Sequence, residues 1–469
     1  MIRRLPAGAP IVTAAQMRAA EAAVFAMGAS QDILMERAGR AVADQVVRLA
    51  AGRPVLVLAG PGNNGGDGYV VARLLKARGL CVAVAALGEP KAGAAARMAG
   101  LWDGAIGTLA QAAPRPIVVD ALLGIGRPRP FDPATAAPLA HLLDTADLIV
   151  AVDLPSGRDA DSGEGLGKAD VTIALGALKP AHVLGESGAA CGHVLCADIG
   201  VPVPDDVTVI ARPTLPRWRH DVNKFTRGMV AVVSGAMPGA GWLAARAALA
   251  AGAGYVQLIG REPAPGEPHA LVRRRIDDAD DLHTMLKDPR IGTVVVGPGL
   301  GRDRDAAMLL DVALAAPQDM VIDGDALTLL GRDVADRIGS DRRRVCLTPH
   351  SGEFARLFDI GGDKLSATRE AARITGATIV HKGPDTVVAY PDGRAVVSAG
   401  TNPGLSTAGT GDVLAGTIGA RMAGGAGGSD PVAAGVWLHA RAADHIGATF
   451  AVDALPDRIT QEVNACPTA

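Results

Sequence analysis

Apolar positions recur along this chain in two rhythms. At Leu34, Ala38, Val42 and Val46 they fall four residues apart, a spacing that keeps to one helix face. Ahead of them, Thr13-Ala-Ala-Gln16 has the form of a capping box that opens another helix. From Pro54 the rhythm shortens to runs of aliphatic residues at Val55 to Leu58, Val82 to Ala86, Ile117 to Val119, Leu148 to Val152 and Val171 to Ala174. The gaps between these runs are long enough for helices, and that alternation predicts a doubly wound parallel sheet.

The pattern breaks between Val201 and Trp218, where Pro202, Pro204, Pro213 and Pro216 suit an extended connector. Strands and helices then resume with Met229 to Val233, a helix from Ala240, Tyr255 to Ile259, Thr293 to Val296 and Val321 to Asp323. Around Tyr390-Pro-Asp-Gly393 a strand pair reads as a hairpin. At about 100–200 residues per domain the length allows two or three domains, and the expectation is an α/β protein of two, 1–214 and 215–469. Gly-Pro-Gly follows a strand in both halves, at Gly60 and Gly297, but the next strand-end aspartates, Asp120 and Asp323, lie at different distances from it, which argues against duplication.

Composition narrows the functional classes. Hydrophobic residues at 49% and charged residues at 20% allow a large core and exclude disorder as the main state. A net charge of −3 gives no field to hold nucleic acid or a membrane surface, and 3% aromatic residues are too few for a base-stacking platform. The apolar stretch Trp242 to Gly260 is interrupted by Arg246 and glycines, so no membrane span is expected. Pro6, Gly8 and Pro10 stand where a signal peptide needs its apolar core, which points to the cytoplasm. The five cysteines show no close zinc pairing, although Cys191 and Cys196 flank His193. Gly424 to Ser429 reads as a flexible loop between helices.

Two constellations carry chemistry. In the first half, Gly60-Pro-Gly-Asn-Asn-Gly-Gly-Asp-Gly68 joins a strand to the helical stretch Val70 to Lys76. It contains a G-x-G-x-x-G whose amides could approach a phosphate, with Glu89 placed to mimic a dehydrogenase's ribose-binding acid. Asn63, Asn64 and Asp67 add side-chain oxygens that a plain pyrophosphate turn does not use. Asp120 and Asp153 end two further strands, and Asn64, Asp120 and Ser156 together can offer an oxygen-only site for a weakly charged hard cation. In the second half, Ala408-Gly-Thr-Gly-Asp-Val-Leu-Ala-Gly416 places glycines at a helix start, forming an anion hole with Asp412 in the first turn. Read blandly, the same Asp is only a helix cap.

Residues from about Val12 to Val201 resemble the NAD(P)H-hydrate epimerase domain, through Leu34-Met-Glu-Arg-Ala-Gly39, the Asn-Asn-Gly-Gly-Asp loop, Asp120 with its glycine turn, Asp153-Leu-Pro-Ser-Gly157 and Leu178-Lys179-Pro180. The resemblance implies a Rossmann-like domain in which Asn63, Asn64, Gly65, Gly66, Asp67, Gly124, Ile125, Gly126, Arg127, Pro128, Arg129, Pro130 and Asp153 bind the hydrated nucleotide. It also implies a potassium ion on Asn64, Asp120 and Ser156, with Asp153 as acid or base and Lys179 as a second catalytic residue.

Across roughly Asn223 to Val463 the chain resembles the ribokinase-like NAD(P)H-hydrate dehydratase, through Gly297-Pro-Gly-Leu-Gly301, Asp323-Gly-Asp-Ala-Leu327, Thr348-Pro-His-Ser-Gly-Glu353, Lys382-Gly-Pro-Asp-Thr386 and the Gly-Thr-Gly-Asp motif. This implies that Ala240, Gly301, His350 and Asp412 contact the hydrate, that Lys382, Gly383, Pro384, Asp385, Thr386 and Gly411 contact ADP, and that Asp412 is the catalytic base. The pattern departs from the family at Asn223-Lys224 and in Ser234-Gly-Ala-Met-Pro-Gly-Ala-Gly241, which bears on the contacts around Ala240.

The implied activity is repair of NADH and NADPH hydrates (NADHX and NADPHX): the epimers interconvert, and the S epimer is dehydrated at the expense of ADP, giving AMP and phosphate. Magnesium is expected with the nucleotide, and a homo-oligomer is expected. Competing readings are a ribokinase-like small-molecule kinase with an accessory domain, a nicotinamide-dependent dehydrogenase, and a ligand sensor without turnover.

Overall fold

A computed structural model describes residues 5–126, 131–218, 220–339, 343–400, 402–424 and 427–469. The chain divides into two compact units, the first ending at Val209 and the second running from Ile210 to Ala469. This division falls a few residues ahead of the 214/215 boundary read from the prolines. Leu215 already belongs to the second unit, exchanging backbone hydrogen bonds with Pro467 and Ala469.

In the first unit seven strands form one parallel sheet: β1 (Val55–Ala59), β2 (Val82–Ala86), β3 (Ile106–Thr108), β4 (Ile117–Ala121), β5 (Leu148–Val152), β6 (Val171–Leu175) and β7 (His193–Ala197). Their order is β3-β2-β1-β4-β5-β6-β7. The winding therefore reverses between β1 and β4, and the carboxyl ends of these two strands border the crevice where such sheets bind ligands. Side chains alternate across the sheet as a period of two requires. Val55, Val57 and Ala59 pack with Val42 and Val46, while Leu56 and Leu58 pack with Leu139 and Leu142 on the other face. The helix Gln31–Ala50 thus spends the apolar face seen in the sequence inside its own unit. A short strand, β8 (Val207–Val209), folds back on the chain start, where Ile11 N donates to Val207 O at 2.8 Å.

The glycine-rich segment differs from its sequence reading. Asn63 to Gly68 are the first turns of the helix Asn63–Ala77, where the sequence suggested a loop ahead of a helix beginning near Val70. Glycine is a poor helix former, but here close backbone packing overrides propensity. A β-carbon on Gly65 would lie 1.8 Å from Gly60 O, and one on Gly66 would lie 2.5 Å from Met35 Sδ.

In the second unit the strand order is β11-β10-β9-β12-β13-β14-β15-β16-β17. The strands are β9 (Met229–Val233), β10 (Tyr255–Gly260), β11 (Val272–Arg275), β12 (Thr293–Val296), β13 (Asp319–Ile322), β14 (Val345–Leu347), β15 (Thr378–His381), β16 (Asp385–Ala389) and β17 (Ala395–Ala399). Pairing is parallel from β11 to β15 and antiparallel through β16 and β17, the hairpin expected around Tyr390. Here the winding reverses between β9 and β12. The alanine-rich helix Pro238–Ala250 lies against the helix Thr410–Ala423 so closely that a β-carbon on Gly416 would sit 1.9 Å from Ala244 O. No helix among the described residues is long and apolar enough to cross a membrane.

Candidate active sites

The floor of the first crevice is main chain. Gly60 follows β1 and donates its N–H to Ala121 O at 3.0 Å, and a β-carbon there would fall 1.8 Å from Leu122 O. Only glycine fits. Asp120, 3% exposed near the end of β4, accepts from Ser156 N at 2.8 Å, Ser156 Oγ at 2.5 Å and Leu122 N at 3.2 Å. Burial pushes its carboxyl up from the ordinary range, and the Ser156 hydrogen bonds oppose that rise. Ser156 Oγ also accepts from Leu123 N at 2.9 Å. Next along this turn, the β-carbon position of Gly124 lies 3.1 Å from Asn64 Oδ1, so one loop touches Asn64, Ser156 and Asp120. Arg18 Nη1 donates to Ile125 O at 3.0 Å, and Gly126 is open. Arg127, Pro128, Arg129 and Pro130 lie outside the described residues.

Asp153 follows β5 with φ +64°, and Leu154 N donates across it to Val152 O at 2.8 Å, closing a γ-turn. Such a backbone costs about 1–3 kcal/mol and persists only where its surroundings enforce it. They do so here: Asp153 Oδ1 accepts from Lys179 Nζ at 2.7 Å and from Leu175 N at 3.1 Å, while Asp153 O lies 2.6 Å from His182 Nε2. Since His182 Nδ1 accepts from Lys179 N at 2.8 Å, its proton is on Nε2 and goes to Asp153 O. Lys179 is fully buried, and its ammonium also donates to Leu175 O at 2.9 Å and Ala177 O at 3.0 Å. Three acceptors take its three donors. Asp67 is buried and has a carboxyl held well above the ordinary range by burial, then by Asp153 and Glu21. Glu21, half-buried on the helix Ala14–Ala26, is raised by burial and by Asp153. Glu21 and His182 escaped the sequence reading. A carboxylate on an ordinary amphipathic helix carries no signal, whereas His182 sits three residues beyond a lysine already singled out.

In the second unit Gly235 follows β9, and a β-carbon there would meet Leu300 O at 2.0 Å. Gly299 crosses the same crevice, accepting from Met237 N at 2.9 Å, and its β-carbon position lies 2.9 Å from Ala240 Cβ. Gly301 N donates to Asp325 Oδ2 at 3.0 Å, and Arg302 Nε donates to Asp325 Oδ1 at 2.7 Å. Ala240 and Gly301 thus belong to one pair of facing turns.

Opposite them, Gly409 (φ +93°) caps the helix Thr410–Ala423 and accepts from Val413 N at 3.1 Å. Asp412, in that helix's first turn, has a pKa pushed up to about 7 by burial, then by Asp323, with Lys382 opposing and Asp325 adding to the rise. Lys382 Nζ donates to Asp323 Oδ1 at 2.7 Å and lies 4.0 Å from Glu353 Oε2. Burial works against its charge, but Asp323 and Glu353 outweigh burial and raise its pKa. His350 bridges to Lys382 through the backbone, its Nδ1 accepts from Gly352 N at 3.0 Å, and its Nε2 lies 3.5 Å from Glu353 Oε1. Gly383 N donates to Thr386 Oγ1 at 3.2 Å and Pro384 O accepts from Gly400 N at 3.0 Å. Asp385 is held inward by Lys364 Nζ at 2.5 Å, so its carboxylate faces the protein. The strand-end position of Asp323 matches those of Asp120 and Asp153, a signal present in the sequence but not carried to a role.

Two doubly wound α/β units, each gathering buried acids at its switch-point crevice, define a two-site enzyme. The family model described as NAD(P)H-hydrate dehydratase matches residues 230–465, and that described as YjeF-related protein N-terminus matches residues 31–181. The chain is 35% identical over 430 residues to the bifunctional NAD(P)H-hydrate repair enzyme Nnr of Mycobacterium tuberculosis, covering 87% of this chain and 88% of that protein. It is 36% identical over 457 residues to the enzyme of the same name from Escherichia coli K12, covering 89% and 85%. A solved ADP/ATP-dependent NAD(P)H-hydrate dehydratase from Bacillus subtilis, co-crystallised with ATP and magnesium, is 27% identical over 54% of this chain and 94% of its own, with a TM-score of 0.46. The chain belongs to the bifunctional NAD(P)H-hydrate repair enzymes. The readings as a small-molecule kinase or a dehydrogenase account for only part of a match that spans both units.

Proposed function

We propose that the first unit interconverts the R and S hydrates of NADH and NADPH and that the second dehydrates the S hydrate, consuming ADP and releasing AMP and phosphate. The observation that carries this is Asp412, a carboxyl with a pKa of about 7 in the first turn of the helix Thr410–Ala423, together with the Lys382 ammonium 3.4 Å from the β-carbon position of Gly411 at the same helix start. A group of that pKa takes a proton at neutral pH, and the helix amides with Lys382 suit a phosphate. Asp412 accepts the proton of the hydrate's hydroxyl as its oxygen attacks the outer phosphorus of ADP, and AMP leaves. The carbon–oxygen bond then breaks with its electron pair going to phosphate, and loss of a ring proton restores the dihydropyridine. Among the described residues no group of three or more His, Cys, Asp or Glu is placed to hold a metal ion. Magnesium would enter with the nucleotide phosphates.

In the first unit Asp153, fixed by Lys179, is the acid or base that assists departure and return of the hydroxyl. Its Oδ1 is taken by Lys179 and Leu175 N, which turns Oδ2 to the substrate. With its three donors engaged by Asp153 Oδ1, Leu175 O and Ala177 O, Lys179 orients Asp153. The residues fit potassium: Asn64 Nδ2 is buried without a partner, and turning the carboxamide over puts an oxygen in that place. Asn64, Asp120 and Ser156 would hold the ion, which would present a diffuse positive charge to the substrate.

The test is recovery of NADH absorbance from a mixture of both hydrate epimers with potassium, magnesium and either ADP or ATP. Complete conversion, faster than uncatalysed epimerisation allows, is expected with ADP. Conversion that stops when one epimer is spent would remove the epimerase assignment, and no conversion with either nucleotide would remove the dehydratase.

A further inference from the structure

Asp323 has no part in the chemistry above, yet it is only 2% exposed and brings a carboxyl into the interior of the second unit. It follows β13 directly, and Oδ1 accepts from both Lys382 Nζ at 2.7 Å and Thr348 Oγ1 at 2.8 Å. Its other oxygen points to the helix start, since a β-carbon on Gly411 would stand 3.6 Å from Asp323 Oδ2 and 3.4 Å from Lys382 Nζ. A buried ion pair of this kind is a poor source of stability, because desolvating two charges consumes most of their attraction. It does fix where the charges are. Glu353 Oε2, at 4.0 Å, is too far to hold the ammonium by itself.

We propose that Asp323 is a positioning residue for phosphoryl transfer: it pins the Lys382 ammonium beside Gly411, where the transferred phosphate meets the helix amides, and Thr348 fixes its rotamer. The inference rests on the reading of this unit as an ADP-consuming dehydratase. Holding a cation in place before substrate arrives avoids reorganisation during the reaction. Asp323 has a second effect, on the base. The charged groups facing Asp412 are Asp323 after β13, Asp325 in the helix Gly324–Leu330 with its partner Arg302, Lys382 after β15, and Glu353 behind Lys382 in the helix Ser351–Leu357. His439, from the helix Pro431–Ile446, reaches the same turn through Thr410 O at 2.9 Å. After burial, Asp323 is the largest contribution keeping Asp412 protonatable near neutrality.

The experiment follows AMP release and NADH recovery from S hydrate and ADP across pH 5 to 9 with the full chain carrying Asp323→Asn, Asp323→Glu or Thr348→Val. For Asp323→Asn, kcat is expected to fall about 10–100-fold with little change in the KM for hydrate. The acid limb of kcat/KM should move to lower pH, because a negative neighbour of Asp412 is gone. Asp323→Glu should bring the limb back while kcat stays low. Thr348→Val, which keeps every charge, should lower kcat a few-fold with the limb in place, and it carries the test if Asp323→Asn does not fold. A folded Asp323→Asn protein with wild-type kcat and limb overturns the proposal, as does a loss confined to the KM for ADP or a wild-type kcat in Thr348→Val. Wild-type protein that releases no AMP overturns the dehydratase reading instead.

Discussion

Replacing Lys179 by Met tests the frame of the first site. The side chains of Lys179 and Asp153 are 1% and 8% exposed, and they meet at 2.7 Å as a buried ion pair. Met fills much the same volume but leaves the Asp153 carboxylate buried with Leu175 N as its side-chain donor, and it strips a donor from Leu175 O and Ala177 O. Removing one member of a buried pair costs about 3–5 kcal/mol. At roughly 2–4 °C per kcal/mol for a unit of this size, the first unit should melt about 6–20 °C lower. Calorimetry of the full chain should show that transition move while the second unit's stays. Epimerisation should fall to the uncatalysed rate, whereas dehydration of purified S hydrate, measured on the same sample, should not change. Adding Asp153→Asn should recover much of the lost stability without recovering epimerisation, the signature of a coupled pair. A Lys179→Met protein that melts like wild type and still epimerises would refute both the energetic argument and the orienting role.

Asp412→Asn should lower kcat/KM for dehydration about 10²–10⁴-fold and spare epimerisation. Because the base must be ionised and its pKa is about 7, wild-type dehydration should rise with pH through neutrality, about tenfold between pH 5 and 6, and level off above pH 8; a flat rate over that range would exclude Asp412 as the base. Gly416→Ala drives a methyl to 1.9 Å from Ala244 O, backbone that cannot swing away, and should destabilise the second unit by about 1–3 kcal/mol or more, read as a lower melting temperature; an unchanged transition would mean the two helices separate easily. Ser156→Ala removes the hydroxyl that bonds Asp120 at 2.5 Å, and the potassium concentration for half-maximal epimerisation should rise several-fold.

The strands were legible because their apolar runs are bounded by glycine, proline and charge. Val82–Ala86, Leu148–Val152, Met229–Val233 and Thr293–Val296 stand as the runs predicted. Strands with mixed composition were not: β11 is Val-Arg-Arg-Arg at a sheet edge, and β7 includes His193 and Cys196. Site residues at strand ends, such as Asp120 and Asp153, could be placed in one crevice from topology alone. Which atoms meet could not. That Lys179 gives all three protons to acceptors, or that Asp323 and not Glu353 holds Lys382, depends on side-chain paths that no spacing encodes. The helical state of Asn63 to Gly68 was hidden for a related reason, since its cause is backbone from Gly60 and a side chain from the helix Gln31–Ala50.

The order of the site residues along the chain bears on how the protein is made. All the residues gathered at the first crevice lie between Arg18 and His182, whereas the second crevice needs β9 near residue 230 and the helix beginning at Thr410. Emerging from the ribosome amino end first, the chain can finish its first catalytic centre while much of the second is still untranslated. A message cut short after the first unit closes at Val209 and before the helix that begins at Thr410 would yield a protein that shuffles damaged cofactor between its two forms and returns none of it to use.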